Sequence, residues 1–354
     1  MSSKTPSELL AALVTRRYPI AVEVWGDFWD RLSSRDLHPG EALAVLSSLT
    51  TQIPDGASVS TLLDSLRARN PQPGPPSRTT VNIVGTGGGP STFNLSTASA
   101  FVGAAVGARV IKTGSRAYAS RTGSIDLLDR LGIRLAGSYE QLDEMLESFG
   151  MAVAGPFVYP KELRSLARQI LPFDMKTVGR FFNLVGPFLG AVPVTLQITG
   201  VSDHSVLPTF RELASEDSSR DYWITWNELG ADELLSVEDS QVYDSARGEE
   251  FMLRPQEIGL GAGSFDDLLP VSELDATVEH FRALIGGNGP AGAIESIKLN
   301  AAALAINGEV ASDWPQALQM ADDAMRSGEP ARLIERLREY GEQQAAAQPK
   351  AGAR

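Results

Sequence analysis

The sequence predicts an α/β protein: a small N-terminal all-helical domain, then a large α/β domain whose central mixed sheet is flanked by helices. Three observations lead there. Apolar residues recur at helical spacing through residues 7–68, a proline-rich stretch then forbids a continuing helix, and from Val81 onward short apolar strands alternate with helical runs. A chain of 354 residues that is 43% hydrophobic and 21% charged has a globular composition and enough apolar surface for a large core.

Leu9 to Thr15, Glu23 to Ser33, Gly40 to Leu49 and Val59 to Arg69 read as the helices of the first domain, set at residues 1–70. Leu9, Leu10, Leu13 and Val14 share one helical face, as do Ala42, Leu43, Val45 and Leu46. Trp25, Phe28 and Trp29 belong either to its core or to an interaction surface. Residues 71–78 carry four prolines at 71, 73, 75 and 76 and read as a semi-rigid linker. The large domain is set at 79–342, with some helices free to return to the small one. The Ala/Gln tail at 343–354 reads as disordered.

Within the large domain, Val81 to Val84 is a short strand, followed by Gly85-Thr86-Gly87-Gly88-Gly89 and then by Ser, Thr and Asn before the helical run Ala98 to Val106. Glycines let the backbone turn and approach a ligand closely. Free N–H groups at a capped helix start favour an anion. The alternative is a glycine-rich βα turn with no ligand. A P-loop is excluded because no Gly-Lys-Ser/Thr follows, and the glycine spacing does not fit a dinucleotide fingerprint.

Ala108 to Ile111 is a second strand, ending in Lys112-Thr113-Gly114-Ser115-Arg116, and Ser120 to Ser124 repeats that chemistry before the helix Ile125 to Leu131. Two successive strand ends rich in Gly, Ser, Thr, Lys and Arg suit a ligand with two phosphate groups. Further on come an acidic helix Tyr139 to Phe149, a strand Val153 to Tyr159, a helix Pro160 to Ile170, and strands at Val194 to Val201 and Trp223 to Trp226. Helices at Ile294 to Leu304 and Trp314 to Ser327 close the domain. After Trp226, Asp232 and Glu233 stand side by side on a loop, either as a solvated acidic turn or as ligands for a hard cation.

Gly85-Thr86-Gly87-Gly88 with Asn94-Leu95-Ser96-Thr97 resembles the pyrophosphate signature of the anthranilate phosphoribosyltransferase family, whose fold is that of nucleoside phosphorylases. Lys112-x-Gly114-x-Arg116 and Gly123-Ser124-x-Asp126-x-Leu128 resemble its second loop, and Phe182 to Pro187 and Gly230 to Leu234 its later motifs. The likeness runs from about residue 8 to about 340. It implies Mg²⁺-dependent transfer of phosphoribose from phosphoribosyl pyrophosphate to a small aromatic acceptor, as in tryptophan biosynthesis, by a homodimer. It also implies donor contacts at Gly85, Thr86, Gly88, Asn94, Ser96, Thr97, Lys112, Arg116 and Ser124, and metal ligation by Ser96, Asp232 and Glu233. No side chain is assigned as a dedicated nucleophile.

The chain departs from the family where the acceptor binds. The family's Lys-His-Gly-Asn is Lys112-Thr113-Gly114-Ser115 here, which puts Thr113 and Ser115 in the implied acceptor pocket. In an ungapped register, Phe173 holds the place of the arginine that grips the acceptor carboxylate; Arg180, or Arg168 in a gapped register, could substitute. Gly89 replaces an acid that often follows the glycine run. A pocket built on hydrogen bonds discriminates strongly, so these losses favour an altered acceptor or lost activity.

Composition narrows the rest. A net charge of −13 opposes a nucleic-acid partner, the reading left for a non-catalytic relative. A nucleoside phosphorylase-like activity remains within the fold, although Asn94 to Thr97 suits pyrophosphate better. No run of apolar residues is long enough to span a membrane, and the absence of cysteine fits a reducing cytoplasm. His38, His204 and His280 have no triad spacing and are assigned no chemistry.

Overall fold

The computed structural model describes residues 7–71, 73–114, 123–271, 273 and 276–347. In chain order the elements are α1 (Glu8–Thr15), α2 (Val22–Ser34), α3 (Glu41–Thr51), α4 (Gly56–Arg67), β1 (Val81–Gly85), α5 (Leu95–Ala105), β2 (Val110–Lys112), α6 (Ser124–Arg130), α7 (Tyr139–Phe149) and β3 (Met151–Val153). There follow α8 (Lys161–Gln169), α9 (Met175–Val178), α10 (Arg180–Val185), β4 (Leu196–Gly200), α11 (Leu207–Glu216), β5 (Asp221–Asn227), β6 (Ser240–Asp244) and β7 (Glu249–Leu253). The chain closes with α12 (Ala276–Ile285), α13 (Ala291–Asn307), α14 (Trp314–Ser327) and α15 (Glu329–Ala347).

Two compact units divide these elements. The first gathers Met1–Gly74, Pro156–Pro193 and Asp203–Ser219; the second gathers Pro75–Gly155, Val194–Ser202 and Arg220–Arg354. The first unit is helical. Helices α1 and α4 start on sequence-encoded caps: Ser7 accepts from the Leu10 N–H and Asp55 from the Ser58 N–H. Trp25, Phe28 and Trp29 are its core, each no more than 1% exposed. Trp29 stacks edge-on against Phe28 and Phe182 and donates its indole N–H to Ser65 at 2.9 Å. An aromatic cluster with this much apolar cover packs as core.

The second unit is built on a seven-stranded sheet in the order β3-β2-β1-β4-β5-β6-β7. The first five strands in that order are parallel, and β6 and β7 continue antiparallel, so the sheet is mixed. On one face α5 packs against α13, with Gly103 allowing Leu304 to lie against the α5 backbone. α5 has no charged residue and α13 only Glu295 and Lys298, consistent with helices largely enclosed by other elements.

Some element bounds differ from the sequence reading for local reasons. The strand expected over Val153 to Tyr159 ends at Val153, and Pro156–Val158 forms a 3₁₀ turn, because proline cannot donate to the ladder. The helix expected from Ala98 begins at Leu95, which places Ser96 and Thr97 in its first turn. Residues 343–347, expected in the tail, continue α15: Ala, Gln and Glu favour helix, and Leu333, Ile334 and Leu337 bury its start. Residues 348–354 lie outside the described residues.

Candidate active site

β1 pairs in parallel with β4 in full register, Val81 beside Leu196 and Gly85 beside Gly200, and β4 pairs with β5, Gly200 beside Thr225. From β1 the chain runs outward through β2 and β3, then returns to the other side of β1 as β4. Strand order reverses at the β1–β4 pair, where open α/β sheets leave a crevice beyond their carboxyl ends.

Two loops meet there. The glycine loop after β1 turns through Gly87 and Gly88, with φ of +67° and +88°. The acidic loop after β5 lies directly on the ends of β1 and β4. A Cβ on Gly85 would overlap the Asp232 carboxylate, and one on Gly200 would overlap the Asp232 carbonyl. Neither glycine has positive φ, so close approach alone demands them. In the loop after β2, a Cβ on Gly114 would overlap the Ser124 hydroxyl at the start of α6, so those two segments touch.

The acidic pair is seated on the N–H groups of the glycine loop. Asp232 accepts from the Gly87 N–H at 2.6 Å. Glu233 accepts from the Thr92 hydroxyl at 2.6 Å and from the Ser96 N–H, in the first turn of α5, at 3.1 Å. Asn94 is the N-cap of α5 but makes no side-chain capping bond; Glu233 serves that end of the helix instead. The carboxylates occupy positions that attract anions through free donors and the helix dipole.

Lys112 completes the charge cluster. It is 2% exposed, and its ammonium donates to the Ile83 carbonyl at 3.0 Å and the Thr113 carbonyl at 2.6 Å. Burial lowers its pKa to about 8, against the pull of Glu233 and Asp232. Burial, and next the nearby Asp232, raise the Glu233 carboxyl to about 8, despite Thr92, Ser96 and Lys112. Asp232 also moves up, by burial, against the Gly87 N–H and Lys112. Two acids facing one base leave a negative charge without a partner, the condition that raises carboxylate pKa values in enclosed sites.

Two further residues implied as donor contacts, Thr86 and Thr97, are described beside these loops. The Thr86 hydroxyl is buried and accepts from the Ser202 N–H at 3.2 Å, while the Ser202 hydroxyl donates to the Gly87 carbonyl at 2.5 Å. The Thr97 hydroxyl is buried in the first turn of α5 and has no hydrogen-bond partner among the described residues. Arg116 and Ser115 lie outside the described residues.

Thr113 is turned into the sheet. It is 3% exposed, and its hydroxyl lies 3.0 Å from Asn82 Nδ2 and 3.3 Å from Asn82 Oδ1, while Asn82 also donates to Gln197 at 2.9 Å. Phe173 and Arg180 belong to the first unit. Phe173 is 51% exposed, and Arg180 opens α10 with its side chain also exposed. The Asp203 carboxyl is held low by the Ser205 hydroxyl, against burial, and Arg180 adds to the lowering.

Sequence reasoning missed Gly87, Thr92, Gly200, Ser202 and Asn227 as members of the site. Gly87 and Thr92 sit inside the recognised loop, where the residue types were visible but not their partners. Gly200 and Ser202 come from the end of β4 and just beyond it, and only the strand register brings them to β1; Asn227 ends β5, and nothing in the sequence marks its bonds to Ala231 and Glu233.

A glycine loop, a helix N-terminus and a half-buried acid pair thus come together where the strand order of the sheet reverses. Residues 77–331 match the family described as "Glycosyl transferase family, a/b domain". An anthranilate phosphoribosyltransferase of Aeropyrum pernix is 27% identical over 326 residues, covering 86% of this chain and 93% of that protein. The enzyme of the same name from Shouchella clausii is 30% identical over 268 residues, covering 74% and 76%. Among solved structures, anthranilate phosphoribosyltransferase from Thermus thermophilus superposes with a TM-score of 0.79 at 25% identity, over 95% of this chain and 99% of that one. The enzyme from Saccharomyces cerevisiae in complex with PRPP and Mg shares the fold, at a TM-score of 0.77 and 20% identity, over 97% and 99%. The chain belongs to the anthranilate phosphoribosyltransferase family, within the glycosyl transferases that carry this α/β domain.

Proposed function

We propose that the protein transfers the phosphoribosyl group of phosphoribosyl pyrophosphate to a small aromatic acceptor in a Mg²⁺-dependent reaction that releases pyrophosphate. The observation that carries this reading is the seat of Asp232 and Glu233 on the glycine loop and the first turn of α5. Anion-binding donors and cation-binding acids share one small volume there, as a magnesium pyrophosphate requires.

The donor set fits magnesium. Hard cations take oxygen ligands, and Mg²⁺ is usually held by one or two carboxylates together with substrate phosphates rather than by a protein cage. Among the described residues no group of three His, Cys, Asp or Glu could hold a metal alone. The adjacent acids Asp232 and Glu233, with the Ser96 hydroxyl, would share the ion with the substrate. Bound there, magnesium would neutralise charge growing on the departing pyrophosphate.

The chain's own groups do the rest. Gly85, Thr86, Gly88, Asn94, Ser96 and Thr97 would hold the pyrophosphate, and the unpartnered Thr97 hydroxyl is a donor waiting for an acceptor. Lys112, Ser124 and Arg116 would face the donor phosphates. Departure of pyrophosphate leaves an oxocarbenium-like ribosyl centre, which the acceptor attacks. Such a step is served by alignment and preorganised charge rather than by a protein nucleophile.

For the acceptor, the reading is an aromatic compound other than anthranilate. Thr113 is engaged by Asn82 within the sheet, Ser115 replaces an asparagine, and Phe173 stands where the ungapped register expects an arginine. The enzyme would act as a homodimer in the cytoplasm. The family likeness supports association through the first unit, where Val14 lies 66% exposed on α1, and no described helix is long and apolar enough to cross a membrane.

Release of pyrophosphate from phosphoribosyl pyrophosphate and magnesium, followed across a panel of anthranilate, other aromatic acids, anilines and phenols, tests the reaction. Release with a non-anthranilate acceptor and little with anthranilate is expected. Efficient turnover of anthranilate would contradict the acceptor reading, and no release with any panel member would count against transferase activity.

A further inference from the structure

Asp232 and Glu233 can serve a metal only if their loop is held at a fixed height above β1 and β4, and the sequence of that loop does not hold itself. It contains Gly230 at a φ of +69° and no proline. Its carboxylates are held by Gly87, Thr92 and Ser96, and its backbone is tied by one side chain from the last residue of β5. Asn227 is 3% exposed and paired with Ser240 of β6, so its own backbone is part of the sheet. Its Nδ2 donates to the Ala231 carbonyl at 3.0 Å and to the Glu233 carbonyl at 3.1 Å. Its Oδ1 accepts from the Ala231 N–H at 3.1 Å, and its backbone carbonyl accepts from the Gly230 N–H at 3.0 Å. The amide orientation is forced, because a donor faces one end and two carbonyls face the other.

We infer that Asn227 is a positioning residue for the acidic pair. It ties the backbone on both sides of Asp232 to the rigid end of β5, and so sets where the two carboxylates face the glycine loop. The assignment rests on the transferase reading only for what the carboxylates do; the clamp itself is a property of the ligand-free chain. An asparagine suits the task where shorter or purely accepting side chains do not. Only an amide presents two donors and an acceptor from one planar group, and a hydroxyl cannot span both carbonyls. Beyond the clamp, Asn300 of α13 donates to the Leu234 carbonyl at 2.7 Å, so the chain leaves the acidic pair on a second fixed point. Between these two side chains the Asp232–Glu233 segment has little freedom to move away from Gly85 and Gly200.

The test uses the full chain and the variants Asn227→Ala and Asn227→Ser. Calorimetric titration of phosphoribosyl pyrophosphate at a series of magnesium concentrations gives the magnesium level at half-maximal donor affinity. Hydrogen exchange gives the protection of the amides of residues 230–233 beside those of β1, β4 and β5. The clamp predicts a magnesium requirement raised by about 10-fold or more, the range for lost support of a metal ligand. It also predicts faster exchange confined to residues 230–233. A residue of merely structural worth would lower the active fraction and speed exchange throughout the sheet, leaving the magnesium midpoint of the folded fraction unchanged; that result overturns the inference. Unchanged exchange and midpoint in both variants overturn it as well. If Ala does not fold, Ser gives the same readouts with less volume lost. Failure of the wild type to bind the donor with magnesium would strike the transferase reading instead, and the exchange pattern would still decide whether the clamp exists.

Discussion

At the residue scale, Glu233 carries two demands that pull in opposite directions. In the ligand-free protein it is an enclosed carboxyl beside another, so its pKa rises from 4.5 to about 8. A folded state that holds a proton more tightly than the unfolded chain is most stable below pH 4.5, and it loses stability as pH rises toward 8. Glu233→Gln keeps an acceptor for Ser96 and removes the titration. Its melting temperature is therefore expected to exceed that of the wild type by a few degrees at pH 8 and to match it near pH 5, by thermal melts across that range. The same substitution is expected to abolish magnesium-dependent donor binding, the usual exchange of stability for function at a site. A second expectation concerns Gly200, whose missing Cβ admits the Asp232 carbonyl. Gly200→Ala forces two backbones apart; a cost of about 2 kcal/mol in denaturant unfolding and loss of donor binding are expected.

At the scale of elements, helix starts and strand centres were legible because caps, proline and periodicity act within a few residues. α7 and α14 lie over the residues the pattern indicated, and β1 over Val81 to Val84 plus Gly85. The glycine loop was legible as an anion seat, since glycine, hydroxyls and a helix start stand together in the sequence. What Glu233 does for α5 was not: the cap of that helix comes from a residue 137 positions away. Gly200 was hidden for the same reason, since register between strands is a long-range property; Asn227 was hidden although its partners Ala231 and Glu233 lie close along the chain, because no residue pattern marks an asparagine that clamps a loop. Helix α3 shows how a charged residue fixes an element. Glu41 receives Arg31 through two hydrogen bonds at 2.9 and 2.8 Å and the His38 N–H at 3.0 Å. Burial tends to raise its carboxyl, but Arg31, Ser7 and His38 more than reverse that and hold it below 4.5. The stability this confers is present above pH 4.5 and fades as pH falls through the lowered value. Glu41→Gln is expected to cost about 2 kcal/mol at neutral pH. The gap to the wild type should narrow in acid, as measured by urea unfolding at several pH values.

At the scale of the whole molecule, the α/β class and the helical first unit followed from patterning, but the path of the chain between the two units did not. Residues 156–193 and 203–219 cluster with the N-terminal helices, and no local signal says which layer a helix joins. Phe173 and Arg180, proposed for the acceptor, fall in one of those returning segments, whereas Thr113 and the described residues proposed for the donor lie in the second unit. If association through the first unit is correct, Val14→Glu is expected to shift the protein from dimer to monomer in light scattering while donor affinity stays within about twofold, since surface charges act little at a distance. A monomeric wild type would contradict the dimer.

The central claim is that the second unit is a magnesium-dependent phosphoribosyl pyrophosphate site. Calorimetric titration of that donor into the protein, with and without magnesium, tests it most directly. Saturable binding that requires magnesium, and that disappears in an Asp232→Asn, Glu233→Gln double variant which still folds, is the predicted result. Binding that is indifferent to magnesium and to that double substitution, or no binding at all, would contradict the account.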